Sequence, residues 1–362
     1  MTTILALCSP GEVRVAAVMD DVLQDFAIWR PGRPDGVGDV YRARVTAHVP
    51  GMAGAFLALP EGDGFLPDSE GAAGTVEGTA LVVRVTRAAQ GGKGPRLSAR
   101  VPQEPGPPGL LARGPGAVEE LAARYPDAPV LADDPAVAAR LRPMLGERIR
   151  FAPSLQHPAL AEQIEALTTP EIALPGGMRA SIHPTPALTA IDLDMAGATP
   201  GRQKKPAAQL AANRAALPEL ARHIRLRNLS GAILVDVAGV SVKRRSQLGA
   251  DFVAALAPDP LGPRFLGFTA LGLAEILRPR LHPPLHELLT GPHAAGLAAL
   301  RAIVREHEAA PHRALRLRAA PEMVAALDAD AEALSDLARR TGRPLIRIPD
   351  PALPPCCWRV ER

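Results

Sequence analysis

The sequence predicts a mixed α/β protein of several subdomains with a small β-barrel near its amino end. Three observations carry that reading. Between Gly38 and Arg100, five short alternating segments are punctuated by glycine, the pattern of a small closed barrel of OB type. From Arg179 to Arg278, apolar strand-like runs alternate with longer helical patterns, which argues for an α/β layered core. The chain has 362 residues, 47% of them apolar, which fills the cores of two or three domains and excludes a disordered chain.

Taken in order, residues 1–30 read as three strands, Thr3–Leu7, Val13–Val18 and Val22–Trp29, with Pro10-Gly11 as a turn. Pro31–Gly38 is a linker. Barrel strands are expected at Val40–His48, Ala53–Ala58, Asp63–Pro67, Thr79–Val85 and Arg96–Val101, followed by a Pro/Gly junction over Pro102–Pro115. Helices at Ala117–Arg124 and Pro135–Leu145 alternate with strands at Val130–Ala132 and Arg148–Ala152. After the turn Pro175-Gly176-Gly177 come strands Arg179–His183 and Leu188–Leu193, helix Ala207–Arg225, strand Gly231–Val237 and helix Arg245–Ala257. Strand Phe265–Thr269 and helix Ala270–Arg278 complete that unit. The tail reads as helices Ala294–Glu308 and Pro321–Arg340 with strands near Arg313–Leu317, Leu345–Ile348 and Trp358–Val360, a small α+β domain.

Composition narrows the chemistry. The net charge is +3, but residues 176–290 hold 14 Arg or Lys against 8 Asp or Glu, a local balance of +6. The basic surplus therefore sits where a phosphate backbone would dock. Cys8, Cys356 and Cys357 are the only cysteines, and no C-x-x-C exists, so neither a disulfide framework nor a cysteine zinc site is supported. The amino-terminal segment lacks a leader pattern and no run of 18 apolar residues occurs, which predicts a soluble, cytoplasmic protein with no membrane partner. Dinucleotide, P-loop and G-x-S-x-G signatures are absent.

The candidate chemistry lies in two acidic strands. In Ala190-Ile191-Asp192-Leu193-Asp194, alternation puts both aspartates on one face, and in Ile233-Leu234-Val235-Asp236 a third interrupts an apolar run. Oxygen-only donors suit Mg²⁺ or Mn²⁺, so Asp192 and Asp236 are candidate metal ligands, with Asp194 ligating or orienting. The same acids could instead cap helices or pair with arginines. Around them lie Arg202, Lys204, Lys205, Arg222, Arg225, Arg227, Lys243, Arg244, Arg245, Arg278 and Arg280. Arg222 and Arg225 are three apart on one helical face and could hold phosphates bidentately. Acids with a metal, ringed by arginines, fit phosphodiester hydrolysis. In the barrel, Phe56 and Phe65 beside Tyr41 stand out in a chain with few aromatics, and Lys93 and Arg96 could track a nucleic-acid backbone. Such rings also fill barrel interiors. His282, His286 and His293 lack the spacing of a metal set, and a structural role is expected for them.

Together these segments resemble the catalytic half of the ribonuclease E/G family. Gly38-Asp39-Val40-Tyr41-Arg42-Ala43-Arg44-Val45, Pro50-Gly51-Met52, Gly54-Ala55-Phe56 and Gly64-Phe65-Leu66-Pro67 look like its RNA-binding barrel, and Lys93-Gly94-Pro95-Arg96-Leu97-Ser98 like the barrel's exit strand. Ala187-Leu188-Thr189-Ala190-Ile191-Asp192 resembles the first metal-ligand strand. Ala221–Gly231 with Ile233-Leu234-Val235-Asp236 resembles the second with its leading helix, and Leu271-Gly272-Leu273-Ala274-Glu275 with Arg278 and Arg280 the helix that follows. The resemblance implies an RNase-H-like subdomain over residues 1–33 and 102–175 with an OB-fold barrel inserted at 34–101. It further implies a DNase-I-like catalytic subdomain at 176–290 and a small α+β domain at 294–362. Its implied activity is Mg²⁺-assisted endonucleolytic cleavage of single-stranded RNA, leaving a 5′-phosphate and a 3′-hydroxyl. Asp192 and Asp236 would be ligands, Phe56 and Phe65 base-stacking positions, and Lys93 and Arg96 backbone contacts.

Three departures stand out. Asp194 replaces the family's Asn, which can donate a hydrogen bond to the second carboxylate where an ionised Asp cannot. The Val-Arg-Thr-Ala-Gly stretch that senses a 5′-monophosphate is missing. The zinc-sharing Cys-x-x-Cys is replaced by Leu288-Leu289-Thr290-Gly291-Pro292-His293, so a monomer or a small-domain dimer is expected in place of a zinc-linked one, with no structural zinc. The rival expectations are an RNA-binding protein of the same family without catalysis, or a metal-dependent DNA nuclease.

Overall fold

A computed structural model describes residues 1–155, 158–195, 205–311 and 316–361. Its architecture is mixed α/β with several sheets and a closed barrel. The described residues within 1–22, 26–156 and 287–362 form one compact unit, and those within 23–25 and 157–286 form a second.

β1 (Thr2–Ser9), β2 (Glu12–Met19) and β3 (Val22–Trp29) form an antiparallel meander that belongs to the first unit except for residues 23–25 of β3. The barrel follows as β4 (Val40–Val49), β5 (Gly54–Leu59), β6 (Gly62–Pro67), β7 (Ala80–Arg87) and β8 (Arg96–Ser98). Pairing of β4 with both β5 and β7 closes these five strands, which removes free sheet edges. Ala43, Val45, Leu57, Leu66, Val85 and Leu97 fill the interior because alternate residues of each strand point inward. The segment expected to be a plain junction contains a further strand, β9 (Gly109–Ala112), paired to β4. All four of its residues are exposed, so no apolar alternation announced it.

The chain then returns to the first sheet through α1 (Ala117–Arg124), β10 (Val130–Ala132), α2 (Pro135–Leu145) and β11 (Ile149–Phe151), all four close to expectation. The sheet order is β11-β10-β1-β2-β3.

The second unit contains α3 (Pro158–Ala166), β12 (Glu171–Leu174), β13 (Met178–Pro184), β14 (Thr189–Met195), α4 (Lys205–Leu226), β15 (Gly231–Asp236), α5 (Val242–Arg245), α6 (Gly249–Leu256), β16 (Arg264–Phe268) and β17 (Ala274–Arg278). The helix expected over Ala270–Arg278 is not there: residues 269–273 turn, with Gly272 at φ +87°, and β17 enters the sheet between β15 and β16. Leu271, Leu273, Ala274, Ile276 and Leu277 mimic a helical stripe, but burial alternates, with Ala274, Ile276 and Arg278 inside. The order β12-β13-β14-β15-β17-β16 contains a single parallel pair, β14–β15, so the sheet is mixed. One face packs on α4 and α6 through Ile191, Leu193, Ile233, Val235, Leu217, Leu220 and Phe252. The opposite face carries Asp192, Asp194 and Asp236.

The division between the units falls within α7 (Leu285–Leu288), and the first unit resumes with α8 (Gly291–Ala309), β18 (Arg316–Ala319), α9 (Pro321–Asp328), α10 (Ala331–Thr341), β19 (Ile346–Pro349) and β20 (Trp358–Glu361). The single helix expected over Pro321–Arg340 is two. Asp330 ends the first, and its carboxylate caps the second by accepting the Ala333 N–H. Of the strand expected at Arg313–Leu317, residues 313–315 lie outside the described residues.

Candidate functional site

The parallel pair β14–β15 holds the acids together. Register places Thr189 beside Ile233, Ile191 beside Val235 and Asp192 beside Asp236. Adjacent residues in register on neighbouring strands point to the same face, so the two carboxylates stand side by side on the open side of the sheet. The row continues outward: Ser181 is in register with Asp192, and Glu171 with Ser181. The Ser181 hydroxyl donates to the Glu171 carboxylate. Next to this row, Asp194 lies opposite Arg179, whose guanidinium approaches within 3.8 Å. Glu171, Arg179, Ser181, Asp192 and Asp194 line a groove of about 360 Å³.

The electrostatics follow from that crowding. Desolvation, then the charges of Asp236 and Asp194, raise the Asp192 carboxyl above its usual range, with His183 opposing. Among the described residues no guanidinium pairs with Asp192. Asp236 is held differently: its Oδ1 accepts from Arg245 Nη1 at 2.7 Å, while the same side chain donates to the Val240 and Gly272 carbonyls. Arg245 thus ties the end of β15 to the turn before β17. The sequence placed Arg245 among the surrounding cations without indicating this role, which depends on the unforeseen turn.

Among the described residues no group of three His, Cys, Asp or Glu side chains converges as a metal cage. Two carboxylates side by side nevertheless fit a divalent ion of the Mg²⁺ type, which takes one or two protein carboxylates and keeps waters or substrate phosphates for the rest. The mutual repulsion at Asp192 is what such a cation would relieve.

The arginines expected nearby are engaged elsewhere. Arg222 pairs with Glu219 and donates to the Leu23 carbonyl. Arg225 pairs with Asp25 at 3.2 Å. Arg278 is 3% exposed and bound to Asp259 at 2.7 Å and to Asn228. Arg280 is exposed and lies over Gly231, where a Cβ would fall 2.4 Å from its Nη2. Arg202 and Lys204 lie outside the described residues, as does the side chain of Lys205. His293 pairs with Asp330 at 2.8 Å.

In the barrel, Phe56 and Phe65 face each other across β5 and β6, centroids 5.4 Å apart and edge to face. They lie outside the interior cluster, which takes Tyr41 instead. Burial and Asp39, which accepts from the Tyr41 hydroxyl, push that phenol up to about 12. Gly54 makes room for the pair, since a Cβ there would fall 2.5 Å from the Phe65 ring. Arg96 is in register with Phe65, and Arg87 with Arg96, giving one row of rings and guanidinium groups across four strands. Lys93 is exposed where Gln90 and Lys93 pair through their backbones.

Residues 134–281 match the model of the Ribonuclease E/G family. Ribonuclease E of Nostoc sp. is 34% identical over 149 residues, 40% of this chain and 22% of that protein. Ribonuclease E of Escherichia coli is 31% identical over 186 residues, 50% of this chain and 17% of its own. The chain therefore spans about a fifth of those relatives. Ribonuclease G of Escherichia coli is 24% identical over 452 aligned positions, covering 90% of this chain and 92% of that protein. The family-model match takes in the strands that bear Asp192 and Asp236, so the stretch that holds both acids is similar to the ribonuclease E/G family.

Proposed function

We propose that this protein is an endoribonuclease that cleaves single-stranded RNA by metal-assisted phosphodiester hydrolysis in the cytoplasm. The observation that carries the reading is the register of Asp192 with Asp236 on the open sheet face. Asp192 and Asp236 would hold Mg²⁺ or Mn²⁺, which when bound supplies a nucleophilic hydroxide and charge stabilisation at the phosphoryl oxygens. Arg245 fixes the Asp236 carboxylate through Oδ1 and leaves Oδ2 for the ion. Asp194, turned into the groove, orients the site. Phe56 and Phe65 stack bases, while Lys93 and Arg96 bear on the backbone of the same strand. Arg222, Arg225 and Arg278 contribute by holding the scaffold, and Arg280, exposed, contributes a phosphate contact. The first sheet with its helices corresponds in this reading to an RNase-H-like subdomain and the acid-bearing sheet to a DNase-I-like one.

Asp192→Ala or Asp236→Ala should abolish cleavage of a labelled single-stranded RNA while leaving its affinity within about twofold of wild type. Cleavage at the wild-type rate by both variants would overturn the assignment. A second prediction comes from the missing 5′-sensing stretch: substrates with 5′-monophosphate and 5′-hydroxyl ends should be cut at similar rates. A large preference for the phosphorylated end would contradict it.

Two observations favour a second reading. Asp194 stands where the family has Asn, and Asp236 already has a cationic partner, as expected of a protein that grips RNA without cutting it. Purified protein with RNA, first with Mg²⁺ and then with chelator, separates the two. RNA left intact in both conditions favours the gripping protein, and matched DNA strands test for a DNA nuclease.

A further inference from the structure

Away from the acid-bearing sheet, the first unit contains an unbalanced cluster of arginines. Glu12, at the start of β2, is 1% exposed and accepts four hydrogen bonds from three guanidinium groups. Arg14 reaches it at 3.3 Å, Arg30 through two nitrogens at 3.1 and 2.9 Å, and Arg301 of α8 at 2.8 Å. A carboxylate offers about four lone-pair sites, so Glu12 is saturated. Each guanidinium carries five N–H donors, and most of those on Arg14 and Arg301 have no acceptor among the described residues. Arg305, one turn after Arg301, is exposed and has no hydrogen bond or ion pair among the described residues. The charges that bear most on Arg301 are Glu12 and three further guanidinium groups, Arg14, Arg30 and Arg305. Four cations against one carboxylate leave a local charge of +3.

One guanidinium in bidentate contact would neutralise a buried carboxylate. Three that converge, with a fourth nearby, hold excess charge at a partly desolvated place, where like charges repel. Glu12 instead acts as a fixed anchor that draws guanidinium groups from β2, the residue after β3 and α8 into a common cradle. Arg14 and Arg301 keep about a quarter of their side chains exposed, 24% and 23%, so their unused donors meet solvent. A tetrahedral anion with several acceptor oxygens completes such a cradle, and guanidinium groups recognise phosphate bidentately.

We propose that Arg14, Arg30, Arg301 and Arg305 form a phosphate-binding site organised by Glu12, distinct from the aspartate row and from the barrel's ring-and-guanidinium row. The ligand chemistry is a phosphate group, either a phosphodiester of bound RNA or a free phosphate ion. The site does not depend on the nuclease reading, because no catalytic residue takes part in it.

The test uses the full chain with Arg14→Gln, Arg305→Gln and the double variant. Glu12 keeps Arg30 and Arg301 in all three, so folding is preserved, and equal melting temperatures in sodium chloride check this. Arg359→Gln, an exposed substitution on β20, is the control. One arm measures the rise in melting temperature with inorganic phosphate against chloride at matched ionic strength. The other measures affinity for a fluorescent 12-nucleotide single-stranded RNA in chelator across a salt series. The double variant should lose most of the phosphate-induced rise, or bind RNA about 3- to 10-fold more weakly with a salt slope smaller by about 0.7 per lost contact. Loss in the RNA arm identifies a backbone phosphate as the ligand, and loss in the phosphate arm alone identifies a small anion. If neither arm changes, or Arg359→Gln matches the double variant, the proposal is overturned.

Discussion

Asp192 sits among three like charges, Asp236, Asp194 and Glu171, with His183 opposing them. Burial and those carboxylates raise its carboxyl, so the charged form is reached only at higher pH than for a free aspartate. Asp194→Asn removes one like charge, and Asp192 should then ionise at lower pH. If cleavage needs an ionised Asp192, the acidic limb of the pH–rate profile should move to lower pH in Asp194→Asn while the plateau stays within a few-fold. An unmoved limb would show that Asp194 does not act on Asp192. At this scale the sequence was highly legible. Alternation of Ile191 and Leu193 with Asp192 and Asp194 fixes which side chains share a face, because the period of a strand is two. What alternation cannot express is the register between strands, and register is what brings Ser181 and Glu171 into line with the two aspartates.

The arginines show how far elements depend on contacts distant in sequence. Arg278 lies on β17 with its guanidinium buried against Asp259 and Asn228. The sequence showed Arg278 only as one of the cations around the acids, because its partner lies 19 residues away beyond an unforeseen turn. Arg278→Ala leaves Asp259 buried and unpaired, which should destabilise the second unit by about 3–5 kcal/mol, measured by denaturant unfolding. A loss of RNA affinity at unchanged stability would return Arg278 to the ligand-binding surface. On α4, Glu219 joins Arg222 and His223. Burial alone would raise this carboxyl, but hydrogen bonds from Arg222 and then His223, with their charges, hold it down at about 2. A depressed acid contributes stability that is fully present above its unfolded value and is lost as pH falls toward the folded one. Glu219→Gln should therefore flatten the loss of stability between about pH 4.5 and 2, a difference on the order of 2 kcal/mol. An identical acid profile in variant and wild type would mean that the pair contributes nothing to α4.

Barrel, helices and tail were legible wherever glycine, proline and apolar period coincided. What escaped was association between remote segments, which leaves no local period: residues 287–362 share a compact unit with the amino-terminal sheet. Gly11 shows the physical requirement. Its φ is +73°, and a Cβ would fall 2.4 Å from Cβ of Ala333 and 2.9 Å from Leu297, so the β1–β2 turn packs against α8 and α10 with no room for a side chain. Asp134 also engages α10, accepting a hydrogen bond from Arg339 at 2.7 Å and forming an ion pair with Arg340 at 2.6 Å. Gly11→Ala combines left-handed backbone strain with overpacking and should cost about 2–4 kcal/mol. The chain's two tryptophans, Trp29 and Trp358, both lie in this unit. Their fluorescence reports its unfolding alone, whereas far-ultraviolet circular dichroism sees both units. Gly11→Ala should lower the fluorescence midpoint in urea and leave part of the dichroism transition in place, whereas Arg278→Ala should shift the dichroism and spare the fluorescence. If each substitution moves both signals equally, the two units unfold as one cooperative body, and the division between them is geometric without being energetic.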